Sequence, residues 1–526
     1  MRDFQLPGRS TVLATNGMCA TSHPLAAKVA VQMLEAGGNA VDAAIAGAVL
    51  LGICEPQMTG IGGDCFVLLQ KSGESEAIAL NGSGRAPKAM SAAKLRARGL
   101  NAIPKDTADA ITLPGAVDAF CRLSKDHGKL GLRAALAPAI YYAETGVPVA
   151  PRTSFDWDLA KSVPKGAAAQ YYLFGGKPPK AGQLFRSPQQ AEVLRRISQF
   201  GRAGFYEGEV ADDMVSSLKA AGGHHTLDDF AATTCEYTQP ISADYKGTEL
   251  VEHPPNGQGA TAILMNNILK HFDLPSMDPF GSLRAHVEAE AAKLAYAARN
   301  TFIADEAHST GVDGMLASET AKRLADLIDP KKALAPPASL SEQVHKDTVY
   351  ITVVDKDLMS VSLIYSIFHS FGSGLASDKF GILFQNRGCG FTLEKGHPNE
   401  AAGGKRPMHT IIPGLLRRGG EVIMPFGVMG GAYQPNGHAR FVSNLVDFDM
   451  HPQAAIDAPR SFSDEGELRV ERGYSQSVRQ ELADLGHAVV TPDGPIGGAQ
   501  AIYIDRETGV LHGASDPRKD GCALGY

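Results

Sequence analysis

The chain has 526 residues, of which 44% are hydrophobic and 20% are charged, and its formal net charge is −7. This composition is typical of a globular protein with a large core, and the lack of a Lys/Arg cluster argues against a nucleic-acid partner. The most apolar segment, residues 43–53, is too short to span a bilayer, and no secretory signal is visible, so we expect a cytoplasmic protein. Seven scattered cysteines without C-x-x-C spacing favour reduced thiols.

Helical patterns dominate the first part of the chain. Residues 23–52 predict a helix with Ser22 as its N-cap and Pro24 in its first turn, interrupted by the AGGNA run at 36–40. The glycine-rich run TGIGGD, residues 59–64, precedes predicted strands at 65–70 and 76–80. Further helices are predicted at 116–125, 132–145, 190–200, 210–221, 260–272 and 282–302.

The pattern changes after a connector rich in Pro, Ala and Ser at about residues 330–344. β-branched residues predict strands at 348–355 and 359–365, with the turn DKDL between them. More strands are predicted at 381–384, 422–428, 468–471 and 499–504, and helices at 439–448 and 476–485. The early and late strands together favour a layered α and β structure over two independent domains.

A threonine at the boundary between connector and strand has a possible chemical role. A threonine hydroxyl is a poor nucleophile until a base takes its proton, and a free N-terminal threonine carries its own base, because an α-amine titrates near pH ~8. Met1 is followed by Arg2, so such a threonine requires cleavage within the chain. The bond between Asp347 and Thr348 fits this requirement, although Asp-Thr before a strand is common and is weak evidence alone.

Several motifs together give the chain a family resemblance. TVYITVVDKD from Thr348 resembles the start of the small subunit in the γ-glutamyltranspeptidase family, whose members are Ntn hydrolases that cleave themselves at this threonine. Residues 22–64 resemble the family's N-terminal region, and the matching motifs that follow are GGHHTLDDF from 222, FGSG from 371, GILFQN from 381, KRP from 405, MGG from 429 and GASDPR from 513. The resemblance covers nearly the whole chain.

The resemblance implies an α+β fold, the four-layer αββα sandwich. A helix-rich large subunit, residues 1–347, and a strand-rich small subunit, residues 348–526, would form it jointly as an αβ heterodimer, and further dimerisation of this heterodimer is left open. The only other implied partner is a small-molecule substrate, and no cofactor is implied. No metal site is expected either, because His224 and His225 lie in a Gly-rich turn and His369 and His409 have no carboxylate at ligand spacing.

The resemblance also implies catalytic roles. Thr348 matches the nucleophile, whose hydroxyl would attack the Asp347 carbonyl during maturation and the substrate amide afterwards. Ser366 stands where relatives carry a second threonine hydrogen-bonded to the nucleophile, and a satisfied strand serine is the equal alternative. Gly430 and Gly431 match a pair whose backbone N–H groups form the oxyanion hole, and without the resemblance they would be interpreted as a turn. The glycines of residues 59–64 do not form G-x-G-x-x-G and predict tight packing beside the site.

Two arginines mark a departure from relatives that act on glutathione. Gly390 replaces the acid that holds the substrate α-ammonium group, and Arg387 replaces a neighbouring glutamine. The relatives' carboxylate-binding arginine is missing at its usual place, and Arg85 lies two positions on. An ammonium group would meet a like charge here, whereas Arg85 and Arg387 would suit a carboxylate. The alternative for each arginine is a structural ion pair.

Three further pocket residues also differ from those of the glutathione-cleaving relatives. His409 and Thr410 replace a Ser-Ser pair, and Phe368 replaces an asparagine and would narrow the pocket. Residues 391–405 form a shorter segment than in relatives with a lid, which favours hydrolysis over transfer.

The combined pattern is similar to the oxamate amidohydrolase branch of the family, which acts in purine breakdown and converts oxamate to oxalate and ammonia. The alternatives are a γ-glutamyl hydrolase or transferase, an acylase of glutaryl-type amides such as cephalosporin side chains, and a homologue that binds without cleaving.

Overall fold

The computed structural model describes residues 5, 8–335 and 348–526. Asp347 and most of the predicted connector therefore lie outside the described residues. The strands, in chain order, are β1 (Val12–Ala14), β2 (Met18–Thr21), β3 (Asp64–Gln70), β4 (Ile78–Gly82), β5 (Val147–Pro148), β6 (Leu184–Phe185), β7 (Glu236–Thr238), β8 (Ile241–Tyr245), β9 (Thr248–Glu252), β10 (Val349–Val354), β11 (Ser360–Ser366), β12 (Gly414–Arg418), β13 (Glu421–Met429), β14 (Ser461–Asp464), β15 (Glu467–Val470), β16 (Ala488–Val490), β17 (Gly498–Ile504), β18 (Leu511–Ser515) and β19 (Cys522–Gly525).

Helices occur along the whole described chain, and the longest of them is α13, Ser282–Phe302. They are α1 (Pro24–Glu35), α2 (Ala40–Cys54), α3 (Ala92–Ala97), α4 (Ala116–His127), α5 (Leu132–Thr145), α6 (Pro151–Leu159), α7 (Gly166–Tyr172), α8 (Pro188–Phe200), α9 (Ala203–Tyr206), α10 (Gly208–Ala220), α11 (Leu227–Ala231), α12 (Gly259–Leu269), α13 (Ser282–Phe302), α14 (Val312–Leu316), α15 (Ser318–Ala325), α16 (Gln434–Val446), α17 (Pro452–Asp457) and α18 (Gln476–Asp484). None of these helices is long and apolar enough to cross a membrane.

Two seven-stranded sheets form the centre of the molecule. One has the order β19-β2-β10-β11-β3-β4-β7 and the other the order β1-β18-β17-β13-β12-β9-β8. The sheets pack face to face, since β10 contacts β13 and β17, and β2 contacts β17 and β18. Helices α1, α2 and α4 cover the first sheet, and α12, α16 and α17 cover the second. This is the predicted four-layer αββα sandwich.

The central strands β10 and β11 are buried at every residue, which is why their sequences are nearly continuous runs of apolar and small residues. The sheets pack closely at Gly427, where an added Cβ would lie 2.3 Å from Cε2 of Tyr350. Ser362 links the same two sheets, because its Oγ donates to the Phe426 carbonyl at 3.1 Å and accepts from the Gly414 N–H at 3.1 Å. Glycine at 427 is thus required by the sheet spacing.

Most predicted elements are confirmed, and three predictions are wrong. The predicted strand at 381–384 is irregular chain with one isolated bridge between Ala376 and Leu383, because its backbone groups bond to nearby loop residues. His23, and not Ser22, caps α1, since its Nδ1 accepts from the Leu25 N–H. The region in which helical patterns dominate also contains the short strands β5 to β9, which were not predicted.

Candidate functional site

The predicted nucleophile lies directly before the central strand β10. Thr348 is 2% exposed, and its Oγ1 donates to Oγ of Ser366 at 3.3 Å. Ser366 ends the neighbouring strand β11 and is fully buried, and its Oγ also accepts from the Phe368 N–H at 2.9 Å. The structure therefore brings the two predicted hydroxyl residues together, and Ser366 holds the Thr348 hydroxyl in a fixed direction.

The glycine-rich run at 59–64 packs against the same place. An added Cβ at Gly63 would lie 2.4 Å from the Ser366 carbonyl oxygen, and one at Gly62 would lie 2.0 Å from the Leu383 carbonyl oxygen. No side chain fits at either position, so the predicted tight packing beside the site is confirmed. Asp64, at the end of this run, is the register partner of Ser366 across β3 and β11.

Arg387 lies in the site as a buried cation. Its side chain is fully buried, its Cζ lies 3.8 Å from the centre of the Phe368 ring, and its Nη1 donates to Oγ1 of Thr410 at 2.8 Å. Phe368 has φ +80°, a conformation that is costly for a bulky residue and that occurs most often at functional sites. Three residues predicted to bind substrate thus form one contact group, and stacking of this kind suits arginine better than lysine.

The Arg85 side chain makes structural ion pairs. Its guanidinium contacts Glu236 at 2.8 Å and Asp305 at 3.1 Å, and its side chain is 35% exposed. Arg406 contacts the same Glu236 at 2.9 Å. This is the ion-pair alternative that the sequence left open, and the two carboxylates already balance the Arg85 charge.

Asp64 and His409 form a buried polar pair beside Arg387. His409 Nε2 lies 3.1 Å from Asp64 Oδ2, and both residues are fully buried. Burial raises the pKa of Asp64 to about 6, and the nearby Arg387 charge offsets part of this rise. Burial, and then the Arg387 charge, lowers the pKa of His409 well below its usual range. At neutral pH the pair is therefore a carboxylate and a neutral imidazole.

The predicted oxyanion glycines lie between β13 and α16. Gly430 has φ +123° and Gly431 has φ +55°, conformations that glycine adopts without a Cβ penalty. Gln258 Nε2 donates to the Gly431 carbonyl at 3.0 Å and to the Thr410 carbonyl at 2.6 Å, so it joins this turn to the Arg387 group. The turn also opens α16, and the amino end of a helix favours negative charge.

The glycine turn is placed near β10 by an apolar contact. Met429, the last residue of β13, packs in one cluster with Tyr350 of β10 and with Ile364 of β11. Gly430 follows Met429 directly, and Tyr350 is two residues from Thr348. Packing between the two sheets thus brings the glycine turn and the candidate nucleophile to the same end of the sandwich.

A second polar cluster, His286, Glu290 and His487, was not foreseen, since its members are far apart in sequence. Their possible ligand atoms lie within 4.8 Å of one another. His286 Nδ1 lies 2.8 Å from His487 Nε2, and Lys293 Nζ donates to Glu290 Oε1 at 2.7 Å. The ammonium group already neutralises the carboxylate, so we interpret the cluster as a hydrogen-bond network. It joins α13 to the turn after α18.

The fold and the Thr348–Ser366 arrangement define an amide hydrolase of the Ntn class, in which a hydroxyl residue precedes a central strand of an αββα sandwich. Comparison with known proteins agrees with this class. The family model described as Gamma-glutamyltranspeptidase matches residues 26–526. The chain belongs to this family and is an amidohydrolase.

Individual relatives cover the full length of the chain. A glutathione hydrolase-like YwrD proenzyme of Bacillus subtilis is 37% identical over 98% of this chain and 99% of its own length. An oxamate amidohydrolase proenzyme of Klebsiella pneumoniae is 33% identical over 98% of this chain and 100% of its own length. The crystal structure of a cephalosporin acylase from Bacillus halodurans is similar with a TM-score of 0.92 and 38% identity, covering 100% of this chain and 99% of that one.

Proposed function

We propose that the chain is a self-processing amidohydrolase for small amides that carry a carboxylate, with oxamate as the best candidate substrate. It would cleave itself between Asp347 and Thr348 and act as a heterodimer of residues 1–347 and 348–526. The products would be oxalate and ammonia, as in the purine-breakdown branch that the sequence resembles. The proenzyme names of both curated relatives support the maturation step.

One observation carries the substrate proposal: a short series of contacts connects the nucleophile to a buried cation. Thr348 contacts Ser366, the Phe368 N–H contacts Ser366, and the Phe368 ring lies against Arg387. A guanidinium buried this close to the reacting hydroxyl suits a carboxylate near the scissile amide, because a charge-assisted, bidentate contact is the strongest that arginine makes. In oxamate the carboxylate is joined directly to the amide carbon.

The same surroundings are unfavourable for an α-ammonium group. Gly390 replaces the acid of glutathione-cleaving relatives, and an added Cβ there would lie 2.9 Å from the Met408 carbonyl oxygen. The nearby carboxylate of Asp64 is already surrounded by hydrogen-bond donors from the protein. A glutamyl ammonium group would therefore meet Arg387 without an anionic partner, and burying it would cost several kcal/mol.

The reaction we propose has two steps. The α-amine of Thr348 takes the hydroxyl proton, and Oγ1 forms a bond to the amide carbon while the N–H groups of Gly430 and Gly431 stabilise the oxyanion. The carbon–nitrogen bond then breaks, the proton passes to the leaving nitrogen, and ammonia departs. Water attacks the resulting oxalyl ester, which releases oxalate and restores the threonine hydroxyl.

A second candidate is the hydrolysis of glutaryl-type amides, which also lack an α-ammonium group. The similarity to the cephalosporin acylase structure supports it, because that relative matches the full chain at 38% identity. Phe368 disfavours it, since its ring is 3% exposed and packs on Arg387, so a longer acyl chain would need this ring to move. The YwrD relative supports a γ-glutamyl substrate in the same way.

A comparison of three substrates tests the proposal. Ammonia release from oxamate is measured beside anilide release from γ-glutamyl and glutaryl p-nitroanilides, with the same processed enzyme. We expect the largest kcat/KM for oxamate. Preference for the γ-glutamyl anilide would refute the substrate assignment, and preference for the glutaryl anilide would establish the second candidate. Thr348→Ala is the control for contaminating activity and should be inactive on all three.

A further inference from the structure

Asp64 is a buried carboxylate that the reaction steps do not use. It begins β3, directly opposite Ser366 of β11, and it is fully buried. In the sequence it is only the last residue of a glycine-rich run. Its four hydrogen-bond donors come from distant parts of the chain, so no local pattern could reveal them.

Protein donors occupy most of the acceptor sites of this carboxylate. Oδ1 accepts from the Gly84 N–H at 2.8 Å, from the Gly115 N–H at 3.2 Å and from Gln385 Nε2 at 2.8 Å. Oδ2 faces His409 Nε2 at 3.1 Å. A carboxylate offers about four lone-pair sites, two on each oxygen, so protein donors saturate Oδ1 and occupy one site of Oδ2. It therefore acts on the surrounding protein.

Two of the four donors adjoin the residues that we assign to the substrate carboxylate. Gln385 stands two positions before Arg387, and His409 stands directly before Thr410. Arg387 Nη1 in turn donates to Thr410 Oγ1 at 2.8 Å, which closes a ring of contacts through Asp64. One carboxylate thus fixes both segments that form the pocket.

The protonation of His409 supports this arrangement. The Ile411 N–H donates to His409 Nδ1 at 3.3 Å, so Nδ1 carries no proton and the neutral ring bears its proton on Nε2. Nε2–H can then donate to Asp64 Oδ2. The ring orientation is set from both sides, by the backbone on one side and by the carboxylate on the other.

Asp64 also supplies negative charge near a buried cation. The Arg387 charge lowers the pKa of Asp64 and is the largest effect that opposes the rise caused by burial. A fully buried guanidinium is costly without an opposite charge nearby. The carboxylate therefore stabilises Arg387 in the buried position that the pocket requires.

We propose that Asp64 is the positioning residue of the carboxylate pocket, because it holds Arg387 and Thr410 in place through Gln385 and His409. This inference rests on the proposed function, in which Arg387 binds the substrate carboxylate. The alternative, which we call the field argument, is that the negative charge of Asp64 only repels an anionic substrate.

Asp64→Asn separates the two views, because it removes the charge and keeps the shape. The new amide would direct its NH₂ group at one of the present donors, so the 385–387 and 409–410 segments would shift. Misplacement by about 1 Å can cost on the order of 100-fold, so we expect KM for oxamate and the inhibition constant of oxalate to rise roughly 10- to 100-fold. The kcat should change less, within about tenfold. The field argument predicts that the KM for oxamate and the inhibition constant of oxalate both fall.

Two other variants complete the test. Asp118→Asn is the matched control: Asp118 is also a buried carboxylate, bound to Arg202 at 2.8 Å and to the Cys235 N–H at 2.7 Å, neither of which is a pocket residue. It should lower the melting temperature and leave KM unchanged. Gln385→Leu removes one Asp64 contact without altering Asp64, so it covers the case in which Asp64→Asn does not fold, and it should also raise KM.

The outcomes are distinguishable from a failure of the proposed function. Wild-type enzyme is assayed first, and lack of turnover of every carboxylate-bearing amide would refute the function before any variant is compared. If the wild type is active, an unchanged or lower KM in folded Asp64→Asn refutes the positioning role. Where that variant does not fold, an unchanged KM in Gln385→Leu refutes it.

Discussion

Replacing Arg387 by methionine is the most direct perturbation of the substrate site. The guanidinium is fully buried and contacts the Phe368 ring and the Thr410 hydroxyl. Methionine has a similar length and makes favourable contacts with an aromatic ring, so the packing is largely kept while the charge is lost. Truncating one partner of a buried, hydrogen-bonded charge pair between protein and ligand costs about 2–5 kcal/mol of binding energy, which corresponds to a loss of roughly 30- to 5,000-fold in kcat/KM.

The assay is coupled detection of ammonia released from oxamate, with self-cleavage on a denaturing gel as the check that the variant is folded. Arg85→Met is the matched control, because Arg85 pairs with Glu236 and Asp305 at the partly exposed surface. Such pairs contribute about 0–1 kcal/mol, so kcat/KM should stay within about threefold. A processed Arg387→Met enzyme with nearly normal kcat/KM would refute the assignment, and so would an equal loss in both variants.

Three other predictions follow from the described contacts. Ser366→Ala removes the acceptor of the Thr348 hydroxyl and should slow turnover roughly 10- to 100-fold, whereas Ser366→Thr keeps a hydroxyl and should retain most of the wild-type turnover. Equal turnover rates of the two variants would contradict this role of Ser366. Gly430→Ala should lower kcat by about 100-fold or more, measured beside the melting temperature, because φ is +123° and Gly497 Cα would lie 3.0 Å from the new Cβ. Burial, with the Lys293 and His286 charges, lowers the pKa of His487 from 6.5 to about 3, so the unfolded chain binds the proton first. The contribution of neutral His487 to the free energy of unfolding should be fully present above about pH 6.5 and should decrease toward pH 3. His487→Gln should flatten this pH dependence in denaturant titrations.

The regular helices could be predicted from sequence because their periodicity is local. The predicted helices at 132–145 and 282–302 have the bounds of α5 and α13, and the break at residues 36–40 separates α1 from α2. The strands β8 and β9 were missed because they have only five residues each, and β9 pairs with β12, which is distant in the sequence. The sequence of residues 381–384 is typical of a strand, but the backbone groups of this segment form hydrogen bonds with nearby loop residues.

The site was predictable only where residues match a family motif. Thr348, Ser366 and Arg387 were named from sequence, but the stacking of Arg387 on Phe368 depends on a left-handed residue that no pattern reveals. The role of Asp64 was missed because its donors are contributed by four separate segments. Arg85 shows the converse: its proximity in sequence to a family motif suggested a ligand, and its surroundings contain two carboxylates that pair with it.

The central claim is that one residue supplies both hydroxyl and amine after the chain is cut. Intact-mass measurement of the purified active protein, with N-terminal sequencing of each polypeptide, tests it directly. We expect two polypeptides, the smaller beginning Thr348-Val349-Tyr350, and a single polypeptide for Thr348→Ala. An active wild-type protein that remains one uncut chain would contradict the mechanism for every candidate substrate.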